Sequence, residues 1–465
     1  MSDLNHGGNS LFARHAWLPG GWAHDVHLEW DDTGSLQAVK PDAVPAAGEP
    51  VEQIVLPGMI NLHSHSFQRA MGGLTEQAGD GPDSFWTWRD LMYRFARHIT
   101  PAHMEAIAAQ LQVECLRHGY TSICEFHYIH RQPDGQWYPR MAQTADCIID
   151  AAQTSGIGLT MLPVLYSYAN FGEQPLRAEQ NRFATNVGEI LQLITSLEPR
   201  RSAQVEVGVA PHSLRAASVA QIRELLQALP PGRPVHIHIA EQIKEVNDCI
   251  SFCGKRPVQL LVDEIGIDER WCLVHATHLT AQEIHAIAVS GAVAGLCPST
   301  EANLGDGLFE LPPYLAQGGR FGIGSDSHVS TSPVEELRWL EYGQRLEHQR
   351  RNMTTLPQQK RVADVLWQQA LQGGAQASGR SVGALAPGKR ADLLVLDSDH
   401  PNLFDCEHDD LLARFLFCGN DNLVRDVMVG GQWKIRFGRH AEQARIAAAY
   451  KQTLLALRAL RQASY

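Results

Sequence analysis

Two histidines, His63 and His65, close the apolar run Leu56-Pro-Gly-Met-Ile-Asn-Leu-His-Ser-His65. Residues two apart on a strand point to the same face, so two imidazoles at a strand's end can reach one ion. Imidazole suits zinc. Four more pieces follow in order, each closing an apolar, strand-like run: Ala210-Pro-His212, His236-Ile-His238-Ile-Ala-Glu241, Val274-His275 and Gly324-Ser-Asp326-Ser-His328. In a chain with 22 histidines, any one alone is more often a surface or core residue. The recurrence at the ends of successive runs points instead to a hydrolytic metal site. His63, His65, His238 and Asp326 are the expected ligands. Three imidazoles and a carboxylate leave room for water, which marks a catalytic rather than a structural site. One Zn2+ per chain is expected, although the same donors accept Fe2+ or Mn2+. Such an ion lowers the pKa of its water, so that hydroxide is available near neutrality. Glu241, three residues beyond His238, is placed to take the water's proton and pass it to a leaving nitrogen. His275 would orient the hydroxide or stabilise developing charge, and Asp326 would also hold the water. His236 shares the parity of His238 but should sit deeper, as filler. His278 and His328 read as loop residues, and His127 as packing. No lysine stands in Val207-Gly-Val-Ala-Pro-His-Ser-Leu-Arg215 to bridge a second ion, so one metal is favoured over two.

These residues need a scaffold that brings distant run ends together. Between residues 57 and 380 the chain alternates eight apolar runs (59–64, 121–127, 158–166, 205–211, 235–240, 271–276, 292–297 and 321–326) with helical stretches. Eight β–α repeats predict an α/β fold, a (β/α)8 TIM-type barrel, whose chemistry sits at the C-terminal ends of the strands. The clearest helix runs from Pro101 to His118, with Thr100 to cap it and Gly119 to end it. Residues 66–100 form a long excursion containing Phe85-Trp-Thr-Trp-Arg89, the length expected of a functional loop or lid. Residues 1–56 read as short strands and turns, and 381–440 contain further strand-like runs. The two ends are expected to pair into one small β-sandwich domain around the barrel, followed by a C-terminal helix within 441–465.

A chain of 465 residues buries a large core. Its net charge of −12, without any long basic run, argues against nucleic acid and anionic membranes as partners, but not against an anionic small molecule met by local arginines. The first eight residues show no signal-peptide pattern, and no apolar stretch approaches the ~20 residues of a membrane span. Nine scattered cysteines with no CxxC pair fit a reducing cytoplasm rather than a disulfide framework. Cys249 and Cys253, four apart, read as buried thiols on one helix face.

The order His-x-His, His, His, Asp on a barrel resembles the one-metal deaminase branch of the amidohydrolase superfamily. Leu56-Pro-Gly58 before the first ligands and Pro387-Gly-Lys-Arg-Ala-Asp-Leu393 near the other end extend the likeness over nearly the whole chain. His63-Ser-His-Ser-Phe-Gln-Arg-Ala-Met71, Asp83-Ser-Phe-Trp-Thr-Trp-Arg89, Phe126-His-Tyr128 and His236-Ile-His-Ile-Ala-Glu-Gln242 are similar to the family of iminohydrolases acting on N-formimino-L-glutamate. That resemblance implies hydrolysis of this compound to N-formyl-L-glutamate and ammonia, in histidine degradation, by a homodimer. It makes His63, His65, His238 and Asp326 zinc ligands, Glu241 and His275 a catalytic pair, and Gln68, Arg89, Tyr128, His212 and Arg215 substrate contacts. The chemistry agrees, because a substrate with two carboxylates calls for two strong donors and the arginine fork binds carboxylate bidentately. Arg89 stands beside Trp86 and Trp88, which would shield it. Two other readings stay open. A related deaminase could act on a purine, an adenosine derivative or a triazine, flat rings with no pair of carboxylates. A non-catalytic, metal-stabilised binding barrel would have no use for Glu241.

Overall fold

The computed structural model describes residues 9–78, 83–406 and 408–463. The N-terminal segment read for a signal peptide, and residues 79–82 of the long excursion, lie outside these.

The strands, in chain order, are β1 (Ser10–Leu18), β2 (Gly21–Trp30), β3 (Leu36–Lys40), β4 (Val51–Pro57), β5 (Met59–Ser64), β6 (Tyr120–His127), β7 (Gly158–Leu165), β8 (Val205–Val207), β9 (Ala210–Pro211), β10 (Val235–Ile239), β11 (Trp271–His275), β12 (Val293–Leu296), β13 (Arg320–Ile323), β14 (Leu393–Leu396), β15 (Val424–Val429), β16 (Gln432–Arg436) and β17 (Arg439–His440). From β5 to β13 all pairings are parallel, with neighbours in sequence also neighbours in space, and β13 pairs back onto β5 through Ile323 and Asn61. The fourth barrel strand is split into β8 and β9, both paired with β7. Val209, between them, bridges to Val235 and completes the circle toward β10. The eight apolar runs of the sequence are these strands. Nearly every strand residue from β5 to β12 is buried, as a sheet covered by helices requires.

Helix α1 (Phe85–Ala96) lies in the excursion after β5, and α2 (Pro101–His118) returns the chain to β6. Thr100 Oγ1 accepts the His103 backbone N–H at 3.2 Å, and Gly119, at φ 102°, ends the helix in the left-handed region. The helix Val362–Ser378 closes the barrel against β13 and β5. A Cβ at Gly373 would stand 2.0 Å from the Phe321 carbonyl oxygen, so only glycine lets helix and strand approach this closely. Carbonyls at the C-terminal end of this helix accept from His236 Nε2 at 2.8 Å and Thr160 Oγ1 at 2.7 Å. Both donors lie near the starts of their strands. His236 is thus a deep structural residue, as its parity suggested.

The chain ends form a second sheet, in the order β17-β16-β15-β14-β4-β1-β2-β3. It is one continuous eight-stranded sheet, and Ser35, ahead of β3, bridges back to Arg390, ahead of β14. The sheet curls around a small apolar cluster that includes Leu11, Val26, Leu28, Leu393 and Met428. The stretch 381–440 is not all strand: the helix His408–Phe417 lies between β14 and β15 and packs on the helices Val362–Ser378 and Pro333–His348. A final helix, Gln443–Ala463, packs on α2. Among the described residues, no helix is long and apolar enough to cross a membrane. All nine cysteines are unpaired. Cys249 is buried as expected, but Cys253, at the end of the same helix, is exposed.

Candidate active site

The site is built where strands end. His63 lies within β5, His65 one residue past it, His238 in β10 and His275 at the last position of β11. Asp326 falls three residues beyond β13, not inside the strand, yet its N–H donates to the His63 carbonyl at 3.0 Å and holds it beside β5. Several non-glycine residues here have left-handed backbones: Ala240 (φ 50°), His275 (68°), Ala276 (48°), Asp326 (46°) and His328 (62°). L-residues adopt this region at a cost, and such strain gathers at functional sites.

The Nε2 atoms of His63 and His65 are 3.1 Å apart, and those of His63 and His238 3.0 Å. Asp326 Oδ1 stands 3.5 Å from His63 Nε2 and 3.3 Å from His65 Nε2. Each of the four residues offers one ligand atom, all within 4.8 Å of one another. His65 Nδ1 donates to the Phe126 carbonyl at 2.9 Å and His238 Nδ1 to the His212 carbonyl at 3.1 Å. Their Nε2 atoms therefore present lone pairs to the common centre, the second-sphere arrangement of metal-bound histidine. Donors about 2.1 Å from a tetrahedral ion lie about 3.4 Å apart, so the set fits a divalent metal. Burial drives the His63 pKa down to about 3, against the Asp326 carboxylate, and also lowers those of His65 and His238. Despite burial, the Asp326 carboxyl is held below its ordinary range by its hydrogen bond to His63 and by the neighbouring imidazoles. Neutral imidazoles and an ionised carboxylate are the forms that bind metal.

Glu241 and His275 stand at the edge of this cluster. His275 Nε2 is 3.8 Å from Glu241 Oε1 and 3.8 Å from Asp326 Oδ2. Burial raises the Glu241 pKa to about 7, against the pull of His275 and Arg215. For His275 burial acts downward, but Glu241, the hydrogen bond to Glu301 and Asp326 outweigh it and lift the pKa to about 10. Glu301, on the short helix Pro298–Leu304, accepts His275 Nδ1–H at 3.2 Å and the Cys297 backbone N–H at 2.8 Å through the same oxygen. This contact fixes the ring so that Nε2 faces Glu241.

One cavity joins these groups to Gln68, Arg89, Tyr128, His212 and Arg215. Arg89 reaches it from α1, its guanidinium 4.5 Å from the Trp86 ring centre and its buried Nε without a partner. Trp86 shields it as expected, whereas Trp88 lines the cavity. Arg215 is buried 5.7 Å from the same ring. Its Nη2 is 3.9 Å from Glu241 Oε2 and its Nε 4.0 Å from Glu245 Oε1. Gln68 Nε2 donates to Tyr128 Oη at 2.8 Å, leaving Gln68 Oε1 buried and unpartnered. His127 faces away and bonds Thr144 Oγ1 at 3.0 Å, as packing. His328 is buried, fixed between Ser325 Oγ (2.8 Å) and Ser64 Oγ (3.1 Å).

The amidohydrolase family profile matches residues 54–434. The chain belongs to the amidohydrolase family. A formimidoylglutamate deiminase from Pseudomonas aeruginosa is 53% identical over 447 residues, 96% of this chain and 99% of that protein. The crystal structure of an amidohydrolase from Brucella melitensis superposes with a TM-score of 0.92 at 41% identity, covering 97% of this chain and 99% of that one. An adenosine deaminase from Xanthomonas campestris, crystallised with bound zinc, superposes with a TM-score of 0.79 at 21% identity, over 97% of this chain and 98% of that one. That last likeness speaks to the fold alone.

Within this amidohydrolase barrel all eleven residues singled out from the sequence meet at one end of the strands. Glu301, Glu245, Tyr93 and Tyr166 were not singled out. Tyr93 and Tyr166 line the cavity. Tyr93 lies on α1, in the excursion whose path the sequence leaves open, whereas Tyr166 closes the third apolar run, 158–166, and its place at a run end was a signal that went unused. Glu301 follows Cys297 at the end of the seventh run, and an acid at that spacing was a second available signal.

Proposed function

We propose that this amidohydrolase hydrolyses N-formimino-L-glutamate to N-formyl-L-glutamate and ammonia, with one Zn2+ held by His63, His65, His238 and Asp326. The observation that carries the reading is the 53% identity to the Pseudomonas aeruginosa formimidoylglutamate deiminase over 96% of the chain. It is supported by a cavity that pairs the metal-type cluster with two arginines. When bound, the ion supplies Lewis acidity and lowers the pKa of water in its reach. Glu241, with a pKa near the working range, accepts the water's proton and delivers it to the departing nitrogen. His275, held by Glu301, donates to the attacking water oxygen and orients it toward the formimino carbon, whose C=N electrons pass to the nitrogen that Glu241 protonates as the carbon becomes tetrahedral. The added water leaves its oxygen on the formyl carbon, and the nitrogen departs as ammonia. Arg89 and Arg215 meet the two carboxylates, and Gln68, Tyr128 and His212 complete the polar wall. The reading extends to a cytoplasmic homodimer, on the family resemblance and the nine unpaired cysteines.

Metal analysis of the purified protein beside an ammonia assay is the test. About one zinc per chain and turnover of N-formimino-L-glutamate, with none of guanine or S-adenosylhomocysteine, are expected. Zinc without ammonia release would leave only a binding barrel.

A further inference from the structure

Tyr166, the first residue past β7, and Tyr93 of α1 meet at the cavity wall, both buried. Their hydroxyl oxygens are 3.2 Å apart. Gln180, buried beside them on the short helix Ala178–Gln180, sets their hydrogen bonding. Its Oε1 accepts the Arg177 backbone N–H at 2.9 Å, which fixes the orientation of the amide. Nε2 therefore donates to Tyr166 Oη at 2.8 Å and toward Tyr93 Oη at 3.4 Å. Each phenol has one hydrogen to donate. Only one of the two can lie between the oxygens, and the amide brings a further donor rather than an acceptor. One phenolic hydrogen is left without an acceptor among the described residues.

Two cations without a carboxylate in hydrogen-bond reach among the described residues share this corner; a third, Arg177, also 5.4 Å from the Tyr93 ring centre, is paired with Asp90 at 3.1 Å. The Arg89 guanidinium lies 5.4 Å from the Tyr93 ring centre, and the buried Nε atoms of both Arg89 and Arg215 have no hydrogen-bond partner. Both arginines face Trp86. The carboxylates nearest Arg215, on Glu241 and Glu245, stand 3.9 and 4.0 Å away, beyond hydrogen-bond reach. Buried donors are normally matched. Three of them together, two cationic, match an anion with oxygen acceptors.

We infer that the Tyr93–Tyr166 hydroxyl pair, aligned by Gln180, binds a carboxylate of the substrate together with the two arginines. The inference rests on the dicarboxylate reading above and adds the neutral donor that completes its anion site. A hydroxyl donating to a carboxylate makes a short, charge-assisted bond, and a ligand lacking that oxygen leaves the buried donor unmatched. The pair also couples α1 to the connection after β7, so the site forms only when these two segments meet.

Tyr166→Phe and Tyr93→Phe keep the rings and remove the hydroxyls. Affinity is measured for glutarate, which has the five-carbon backbone and both carboxylates of N-formimino-L-glutamate but no reactive carbon. In at least one variant the glutarate Kd is expected to rise about tenfold or more. KM for N-formimino-L-glutamate rises in parallel, while kcat, metal content and thermal midpoint hold. Unchanged glutarate affinity in both variants would overturn the inference. So would a joint fall in kcat, metal content and thermal midpoint, the mark of a disturbed fold. A wild-type protein that releases no ammonia from N-formimino-L-glutamate would sink the proposed function, and the glutarate measurement would still decide the role of the tyrosines.

Discussion

At the scale of single residues, Glu241 and His275 are set apart by their surroundings. Both are buried, but Glu241 sits where desolvation lifts its pKa to about 7, while His275 is surrounded by carboxylates that lift it to about 10. Two groups pushed into complementary protonation states beside one metal-type cluster divide the work of proton transfer between them. Glu241→Gln keeps the shape and removes the proton carrier. It should retain bound metal and lose about 100-fold or more in kcat, checked by metal content and ammonia release; a rate near wild type would remove Glu241 from the mechanism. Glu301 acts through His275. Glu301→Gln should lower kcat about tenfold with KM and metal content held, since the loss of a residue that orients a catalytic group typically costs 10- to 100-fold. A change confined to KM would assign Glu301 to substrate binding instead. His236, His127 and His328 show that histidine identity alone decides nothing here. Each is buried, but each commits at least one ring nitrogen to a carbonyl or a hydroxyl.

At the scale of elements, the excursion after β5 matters most. It carries Arg89 on α1, a helix begun by the Ser84 side chain accepting the Trp86 N–H. The guanidinium depends on α1 for its place over Trp86. Arg89→Ala should therefore raise KM at least tenfold with a smaller effect on kcat, a split that steady-state kinetics reads directly; equal KM values would free Arg89 from substrate binding. The helix Val362–Ser378 has a different task, sealing the barrel at β13 and β5. Gly373→Ala puts a methyl against the Phe321 carbonyl oxygen and should cost about 1–3 kcal/mol, seen as a lower urea midpoint. An unchanged midpoint would mean that the helix shifts freely on the sheet.

At the scale of the whole molecule, buried acids tie stability to pH. Glu336 is fully buried at the start of the helix Pro333–His348 and accepts the Ser299 backbone N–H at 2.8 Å and the Ser299 hydroxyl at 2.6 Å. Burial outweighs these bonds and raises its pKa from 4.5 to about 8. The folded chain thus holds this proton more tightly than the unfolded one. The contribution is fully present below pH 4.5 and is lost as pH rises toward about 8, by at most about 1.4 kcal/mol per pH unit for one proton. Glu336→Gln should show a shallower fall in unfolding free energy between pH 5 and pH 7.5, measured by urea titration at about those two values. Parallel curves for variant and wild type would mean that Glu336 stays ionised. Metal removal should act more broadly, because an ion bound only by the folded state stabilises it by mass action. Chelation is expected to lower the thermal midpoint, and added zinc to restore it.

The sequence by itself determined the barrel and its metal-type ligands, because both rest on local rules. Strand parity put His63 and His65 on one face, and the apolar runs located the strands within about three residues. The ends of those runs then named His238, His275 and Asp326. Tertiary structure decided what depends on meetings between distant segments. The split fourth strand, the position of Asp326 beyond β13, the support of His275 by Glu301, and the encounter of Tyr93 with Tyr166 all follow from how loops pack on one another. No period or spacing records that packing, since a connection between strands is free to take many paths and only its neighbours select one.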